Sequence, residues 1–201
     1  MENYNGHHMK NKILILYAHE HHDNSQINRP MVDAVRNMDG ITFVDLYREY
    51  PDFNIDQIRE TERLFEHDII IFQFPMHWYS TPAILKEYQD KIILAEHAYS
   101  PKGKAFVGKY FFCALSTGGT AENFGPGSRN NYSVLEFMRP QEQTMRAAGM
   151  TYLSPFVIYG AATVAQDGRL EPHINAWVKL LAKLRDGDFD MDAVHDKPQL
   201  N

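Results

Sequence analysis

Three short segments combine side chains that can bind a small molecule with backbone suited to close contact. Residues 19–28 (HEHHDNSQIN) supply imidazole, hydroxyl and amide groups where a helix is predicted to begin, and the free N–H groups of a helix N-terminus favour a phosphate. Residues 75–79 (PMHWY) place two large aromatic rings in a loop, which indicates a planar ligand or a protein partner. Residues 115–120 (LSTGGT) hold two adjacent glycines, whose backbone a ligand can approach without meeting a Cβ atom.

Each segment also has a purely structural interpretation. Ser25 or Asn24 would serve only as a helix cap. Trp78 and Tyr79 would cover the core between two helices, and a pair of glycines is often only a turn. These alternatives stay open for each segment taken alone, but three ligand-suited loops at one edge of a sheet support one another.

The elements that must position these loops alternate between apolar runs and segments of helical periodicity, which is typical of βαβ units around a parallel sheet. Gly40 is placed to stop the first helix, Pro75 to end the third strand, and Pro82 to occupy the first position of a helix capped by Ser80 or Thr81. The predicted strands are 12–18, 42–46, 68–74, 110–116 and 152–159. The predicted helices are 25–38, 55–66 (a charged surface helix), 82–94, 133–148 (interrupted at Pro140) and 171–185, with irregular segments at 47–54, 97–108 and 117–132.

This element order predicts one α/β domain over residues 1–201, built on a doubly wound, five-stranded parallel sheet of order 2-1-3-4-5 with one helix pair on each face. Its core spans about residues 12–185, and the acidic tail 186–201 is predicted to be loosely ordered. Ligands of such sheets bind beyond the carboxyl ends of the strands. The three segments therefore meet at the edge where a site is expected.

Composition excludes several classes of protein. The chain of 201 residues carries a formal charge of −6, the wrong sign for binding nucleic acid through its phosphates. It has no apolar run long enough for membrane insertion and no signal peptide, so we expect a cytoplasmic protein. Cys113 is the only cysteine. The cluster His19, His21 and His22 has side chains that can ligate a metal, but the sequence has no second cluster of ligands to complete a site, so no metal site is predicted.

Five segments also carry a resemblance to a known family. The chain resembles the flavodoxin-fold family of NAD(P)H:quinone oxidoreductases, and most of all its bacterial branch of ancillary proteins to glutathione-regulated potassium efflux systems. The matching segments run in family order across about residues 12–185, and they are LYAH with the His19, Ser25 and Asn28 spacing, DLYREYPDFNID at 45–56, QFPMHWYSTPAILKEYQDKI at 73–92, EHAYS at 96–100 and LSTGG at 115–119. The resemblance implies a flavodoxin-like sheet and a flavin cofactor, with FMN preferred over FAD for a chain of this length.

The resemblance also implies a role for individual residues. The flavin phosphate would lie against the first loop, which contains His19, Ser25, Gln26 and Asn28. Backbone N–H groups of the second loop would lie along the isoalloxazine near N5 and O4, in the run Pro75, Met76, His77, Trp78 and Tyr79. The third loop would approach the N1 and C2 carbonyl edge through Thr117, Gly118 and Gly119, where donors stabilise the reduced ring.

In this family the site lies at a homodimer interface, and Tyr99 fits the aromatic that one subunit lends to the other. Mammalian members place a tyrosine and a histidine beyond the glycine pair as a proton relay, and by offset these positions are Phe124 and Asn130, which cannot relay a proton at neutral pH. Proton delivery is therefore unassigned. The implied reaction is hydride transfer from NADH or NADPH to the flavin and then two-electron reduction of a quinone or similar electrophile, by a ping-pong mechanism.

Other functions stay in competition. The branch suggests a regulatory ancillary subunit that activates a potassium/proton antiporter, with redox activity secondary. A one-electron carrier is disfavoured because the first loop lacks the short Thr/Ser/Gly-rich phosphate turn of flavodoxins. A phospho-receiver domain would need an acidic pair after the first strand, where Ala18 and His19 stand.

Overall fold

Six parallel strands form the sheet of this computed structural model, which describes residues 11–100, 104–191 and 199–201. The strands are β1 (Ile13–Tyr17), β2 (Ile41–Asp45), β3 (Ile69–Pro75), β4 (Tyr110–Ser116), β5 (Thr151–Tyr152) and β6 (Phe156–Ile158). The order β2-β1-β3-β4-β5 confirms the prediction, and β6 also pairs with β4. The predicted fifth strand is wrong as one element, because it splits into β5 and β6 around Pro155, which has no N–H to donate.

Helices cover both faces of this sheet. They are α1 (Asn28–Val35), α2 (Leu46–Glu49), α3 (Gln57–Glu66), α4 (Ala83–Ile92), α5 (Ala95–Tyr99), α6 (Val134–Phe137), α7 (Arg139–Ala148) and α8 (Leu170–Asp186). One face packs on α1 and α8. The other packs mainly on α3, α4 and α7, one long helix more than the predicted pair, and the short helices α2 and α6 add Leu46 and Val134 to the same cluster. Because both faces are covered, the central strands β1, β3 and β4 are mostly apolar, with Leu14 and Leu16 of β1 on one side and Ile13 and Ile15 on the other.

Several predicted boundaries are corrected by local chemistry. Helix α1 begins at Asn28 rather than at Ser25, after a single 3-10 turn at His22–Asn24. Pro82 occupies the N-cap of α4, so neither Ser80 nor Thr81 caps that helix and Pro82 is not its first helical residue.

Two segments expected to be irregular contain short helices. Part of 47–54 belongs to α2, whose first turn Asp45 caps by accepting a hydrogen bond from the backbone N–H of Arg48 at 3.3 Å. The start of 97–108 belongs to α5. The predicted interruption of helix 133–148 is confirmed, but it lies at Met138, between α6 and α7, and Pro140 occupies the first turn of α7.

Helix α3 is not only a surface helix. Glu60 is completely buried on it, and its carboxylate accepts hydrogen bonds from the hydroxyls of Tyr50 at 2.6 Å and Tyr88 at 3.2 Å. Arg63 forms an ion pair with the same carboxylate. A buried carboxylate persists only when it is paired in this way.

The predicted tail is described only in part, since residues 192–198 lie outside the described residues, as do 101–103 within the predicted loop 97–108. Its last residues are held on β6: the Asn201 side chain donates to the Val157 carbonyl at 2.8 Å and accepts from the Val157 N–H at 2.9 Å. Within the described ranges, no helix is long and apolar enough to cross a membrane. That residues 1–201 form one domain remains a prediction.

Candidate active site

Two adjoining cavities open at the carboxyl edge of the sheet. The first-loop cavity, about 310 Å³, is lined by His19, His21, Asn24, Ser25, Gln26, Ile27, Asn28, Pro75, Ser116, Ala161 and Ala162. The glycine-loop cavity, about 430 Å³, is lined by Met76, Trp78, Tyr79, Thr117, Gly118, Gly119, Thr120, Asn123, Phe124, Arg129 and Asn130. They adjoin because Pro75 pairs with Ser116 at the ends of β3 and β4, so the residues that follow these two strands lie side by side. The Met76 N–H donates to the Ser116 carbonyl at 2.8 Å.

The first loop ends in a helix N-terminus with unpaired donors. The Ser25 hydroxyl oxygen accepts hydrogen bonds from the N–H groups of Asn28 at 3.0 Å and Arg29 at 3.4 Å. Ser25 therefore satisfies two N–H groups in the first turn of α1, although the N-cap position itself is Ile27. Its own O–H remains available to donate. Within the described part of the chain, the backbone N–H groups of Gln26 and Ile27 have no acceptor. This donor set suits an anion.

Asn28 joins the first loop to the centre of the sheet. Its side chain is only 2% exposed and donates from Nδ2 to the Ser116 hydroxyl at 3.0 Å. Gln73, fully buried below it on β3, donates from Nε2 to the Asn28 carbonyl at 3.5 Å, and its own Oε1 has no partner among the described residues. Asn28 therefore fixes the loop against β4, rather than standing open to solvent.

The protonation of His19 is set by its surroundings. Burial, together with three neighbouring histidines, lowers the pKa of His19 from 6.5 to about 4. Its Nδ1 accepts a hydrogen bond from the His21 N–H at 3.1 Å. The ring is therefore neutral at neutral pH with its proton on Nε2, which makes it a donor without a charge.

The second loop is a tight turn in an unfavourable conformation. His77 and Ser80 exchange two backbone hydrogen bonds at 3.0 Å each, and between them Trp78 and Tyr79 have φ angles of 46° and 65°. Left-handed backbone at a residue other than glycine costs about 1–2 kcal/mol. Such strain is concentrated at functional sites. Within the described ranges, the N–H groups of Trp78 and Tyr79 donate to no acceptor.

The two aromatic side chains of this turn differ in their support. Tyr79 stacks on Phe137 of α6 with ring centroids 4.9 Å apart and donates to the Asn130 side chain at 3.4 Å. Trp78 is 91% exposed. The structural interpretation, in which both rings cover the core, is therefore wrong for Trp78. An exposed indole beside a cavity offers a surface on which a planar ligand can stack.

The two glycines of the third loop have different surroundings. A Cβ atom on Gly118 would meet nothing within 4 Å, whereas one on Gly119 would lie 3.2 Å from Phe124 Cε2 and 3.3 Å from Asn123 Cβ. Gly118 thus opens onto the cavity, and Gly119 is required by close packing within the protein. Thr117 holds the loop in place through its hydroxyl, which donates to the Gly119 carbonyl at 2.8 Å.

The charge of this edge is unusual for an acidic protein. Among the described residues, no carboxylate lines either cavity, and Arg129 lines the glycine-loop cavity. By contrast, the outer cavity beside α1, about 650 Å³, is lined by Glu20, Asp23, Asp33 and Asp45 together with three arginines. Among the described residues, no group of three or more His, Cys, Asp or Glu side chains is placed to hold a metal ion. The two adjoining cavities offer donors and an aromatic wall, as a planar molecule with a phosphate requires.

The structure brings together every predicted site residue except two. The His77 side chain is not among the groups that line either cavity, and Tyr99, which is 78% exposed, borders a separate groove between α5 and α7. Sequence reasoning missed the loop after β6, which contributes Ala161 and Ala162 and whose Gly160 N–H donates to the Gly119 carbonyl at 2.8 Å. The small residues of GAAT after the last strand were the available signal. Two further lining residues lie outside the three predicted segments and were missed, namely Asn123 and Arg129.

The sequence matches the flavodoxin-like fold family over residues 11–181. It is 36% identical over 171 residues to the glutathione-regulated potassium-efflux system ancillary protein KefG of Enterobacter sp. (strain 638), covering 85% of this chain and 93% of KefG. The structure of general stress protein 14 from Treponema denticola in complex with FMN is 31% identical, with a TM-score of 0.79 over 86% of this chain and 99% of that one. An NADPH-quinone reductase from P. pentosaceus is 25% identical, with a TM-score of 0.75 over 85% and 97% of the two chains.

Proposed function

Because the chain belongs to the flavodoxin-like fold family, we propose that it is an oxidoreductase that binds FMN and transfers electrons from NADH or NADPH to a quinone or similar electrophile. The observation that carries this proposal is the pair of adjoining cavities, one with unpaired N–H donors at a helix N-terminus and the other with an exposed indole and an open glycine. FMN in a 31% identical relative and the NADPH-quinone reductase name of another support it. FMN is preferred over FAD, which stays an alternative.

The residues of both cavities fit FMN by their chemistry. The hydroxyl of Ser25 and the N–H groups of Gln26 and Ile27 would hold the phosphate, with His19 as a further neutral donor. The turn at Trp78 and Tyr79 and the open face of Gly118 would border the ring. When bound, FMN supplies the hydride acceptor and the two-electron donor of the reaction.

The protein's own contribution is binding and electrostatic positioning. Besides those of Trp78 and Tyr79, the N–H groups of Gly118 and Gly119 donate to no acceptor within the described ranges. These four groups would favour negative charge on the reduced ring, without any reorganisation at the moment of transfer. Phe124 and Asn130 line the same cavity. Neither side chain is an acid at neutral pH, so neither supplies the proton of the reduced product.

We further propose that the active protein is a homodimer and that both substrates use one pocket in turn. Tyr99 borders an apolar groove of about 500 Å³ with Ile93, Ala98, Pro140 and Ala147. An apolar groove beside an exposed aromatic side chain suits an interface. In a dimer formed there, Tyr99 would reach the partner's pocket, since it does not line the glycine-loop cavity of its own chain.

Absorption spectroscopy and kinetics test this function together. The purified protein should show the bands of oxidised flavin, sediment at twice 23.3 kDa, and give parallel double-reciprocal plots at several quinone concentrations. Tyr99→Ala should lower kcat/KM by about 5- to 150-fold, since a packed aromatic contributes about 1–3 kcal/mol, and should leave flavin content unchanged. Tyr99→Phe keeps the ring and removes the hydroxyl, so it distinguishes the contribution of the ring from that of the hydroxyl. Intersecting plots would exclude a pocket that the two substrates occupy in turn. A monomer with full activity would exclude a contribution of Tyr99 to the pocket of a partner subunit.

A second candidate function is regulation of a potassium/proton antiporter from the cytoplasmic side. It is favoured by the 36% identity to KefG, an ancillary protein of a potassium-efflux system. Potassium efflux should be measured in cells that carry the antiporter with either the native protein or the flavin-depleted double variant Ser25→Ala, Asn28→Ala. Efflux activation by both proteins would make regulation the main role, and activation by neither would exclude it.

A further inference from the structure

Arg129 is a cation without a carboxylate partner on the wall of the glycine-loop cavity. The chain has ten arginines, and eight of them form ion pairs with Asp or Glu. Within the described ranges, only Arg48 and Arg129 form none. Arg48 lines the outer cavity beside four carboxylates, whereas none of the described residues that line the cavity of Arg129 is a carboxylate.

The other polar side chains that line this cavity are neutral, and Glu122, whose carboxylate interacts with the Thr120 hydroxyl, does not line it. The cavity wall carries the side chains of Asn123, Asn130 and Thr120 and the open backbone of Gly118. The Asn123 amide already donates to the Thr120 hydroxyl at 2.7 Å. In a chain of net charge −6, the one charged group among the described residues that line this wall is therefore a cation, and a concave wall that carries a cation raises the local concentration of an anion.

We propose that Arg129 determines substrate specificity by binding an anionic group, a phosphate or its sulfonate equivalent, on a substrate that enters the glycine-loop cavity. This inference rests on the proposed function. The flavin phosphate is not the group concerned, because its donors line the adjoining first-loop cavity and Arg129 does not. The planar guanidinium presents paired donors that match phosphate oxygens, and an exposed arginine can turn toward a group at the mouth of the cavity.

Two substrates could carry this anion, namely the nicotinamide dinucleotide or a charged acceptor. A neutral quinone presents no anion to Arg129. The reaction therefore contains its own control, since reduction by the dinucleotide and reoxidation by a quinone can be measured separately.

The test uses the flavin-loaded protein and the variants Arg129→Gln, Arg129→Lys and, as a matched unpaired arginine elsewhere, Arg48→Gln. Stopped-flow absorbance follows reduction by NADH and by NADPH, then reoxidation by a neutral naphthoquinone and by the same quinone bearing a sulfonate. Calorimetry measures the binding of NAD⁺ and NADP⁺ directly. Loss of a charge-assisted hydrogen bond should lower the rate constant and affinity for the anionic substrate about 10- to 100-fold. The neutral quinone should be unaffected, the lysine variant should recover part of the loss, and Arg48→Gln should behave as the native protein.

The pattern of loss identifies the source of the anion. A loss confined to NADPH assigns the 2′-phosphate, an equal loss for both dinucleotides assigns the pyrophosphate, and a loss confined to the sulfonated quinone assigns the acceptor. Unchanged values for all charged substrates in flavin-loaded Arg129→Gln would overturn the proposal, as would an equal loss with the neutral quinone. A native protein without flavin and without dinucleotide oxidation would instead contradict the proposed function.

Discussion

The two adjoining cavities share one sheet edge but are held in place by different forces. Buried polar bonds fix the first-loop cavity, where Asn28 is tied to Ser116 and Gln73 lies beneath it. The glycine-loop cavity depends on surface aromatic packing and a left-handed turn, and its most prominent ring, Trp78, has almost no support from the protein. One end of the cleft is therefore rigid before any ligand binds, whereas the other is shaped in part by what binds there.

This difference matches the two tasks that the proposed function sets. A prosthetic group that stays bound through many turnovers gains affinity from a preorganised anchor, because little freedom is lost on binding. Substrates that replace each other need a surface that accepts different planar molecules. The first-loop cavity suits retention, and the glycine-loop cavity suits exchange.

The largest expected effect is the loss of the phosphate anchor. Replacing Ser25 and Asn28 together by Ala removes a hydroxyl donor and the bond that fixes the loop, and should weaken flavin affinity roughly 100-fold or more, at about 1.5–3 kcal/mol per charge-assisted contact. The protein should still unfold cooperatively. The ratio of flavin to protein absorbance after purification and a thermal melt measure both properties.

Asp56→Ala is the matched control for this double variant. Asp56 caps α3 by accepting from the Arg59 N–H at 3.1 Å, at a helix that lines neither cavity. Its loss should lower stability by about 1 kcal/mol and leave the flavin bound. Full flavin content in the Ser25→Ala, Asn28→Ala protein would show that the first-loop cavity does not anchor the flavin phosphate.

A second prediction separates the two glycines of the third loop. Gly118→Ala should change the free energy of unfolding by less than about 1 kcal/mol, because its Cβ meets nothing within 4 Å. It should weaken flavin binding about tenfold, or about 1.4 kcal/mol, since the new methyl group stands in the cavity. Gly119→Ala should instead lower stability by about 1–3 kcal/mol, because its Cβ would press on Phe124. Thermal melting of the flavin-free proteins measures stability, and flavin titration measures affinity. The reverse pattern would contradict the assignment of Gly118 to the cavity wall and of Gly119 to the packed interior.

The fold was predictable because its signals are local. Apolar runs gave β1, β3 and β4 within one residue of their bounds, and Pro140 indicated the interruption that lies at Met138, between α6 and α7. Three features depend on contacts distant in sequence and could not be read locally. They are the burial of Glu60 by two tyrosines, the attachment of Asn201 to β6, and the extra helix on one face.

The site was predictable to the level of loops but not of atoms. Residue type placed Ser25 and Gly118 at a cavity, yet nothing in the sequence distinguishes Gly118 from Gly119, because only the position of Phe124 does so. The burial of Asn28 depends on Ser116, 88 residues later in the chain. Arg129 lies in a polar loop without any motif. It stands out only in the folded protein, because none of the described residues that line its cavity is a carboxylate.

The smallest expected effect concerns the backbone of the left-handed turn at the glycine-loop cavity. Trp78→Gly and Trp78→Val both remove the indole, so each should lower kcat/KM for the dinucleotide about 2- to 10-fold, as the loss of one aromatic contact predicts. Their stabilities should differ. Glycine accepts a φ of 46° without strain, whereas a β-branched residue resists it, so the valine variant should be less stable than the glycine variant by about 1 kcal/mol. Denaturant unfolding of the flavin-free proteins measures this difference. Equal stabilities would mean that the turn leaves the left-handed conformation when the indole is removed. The indole would then hold this conformation, and the backbone hydrogen bonds between His77 and Ser80 would not.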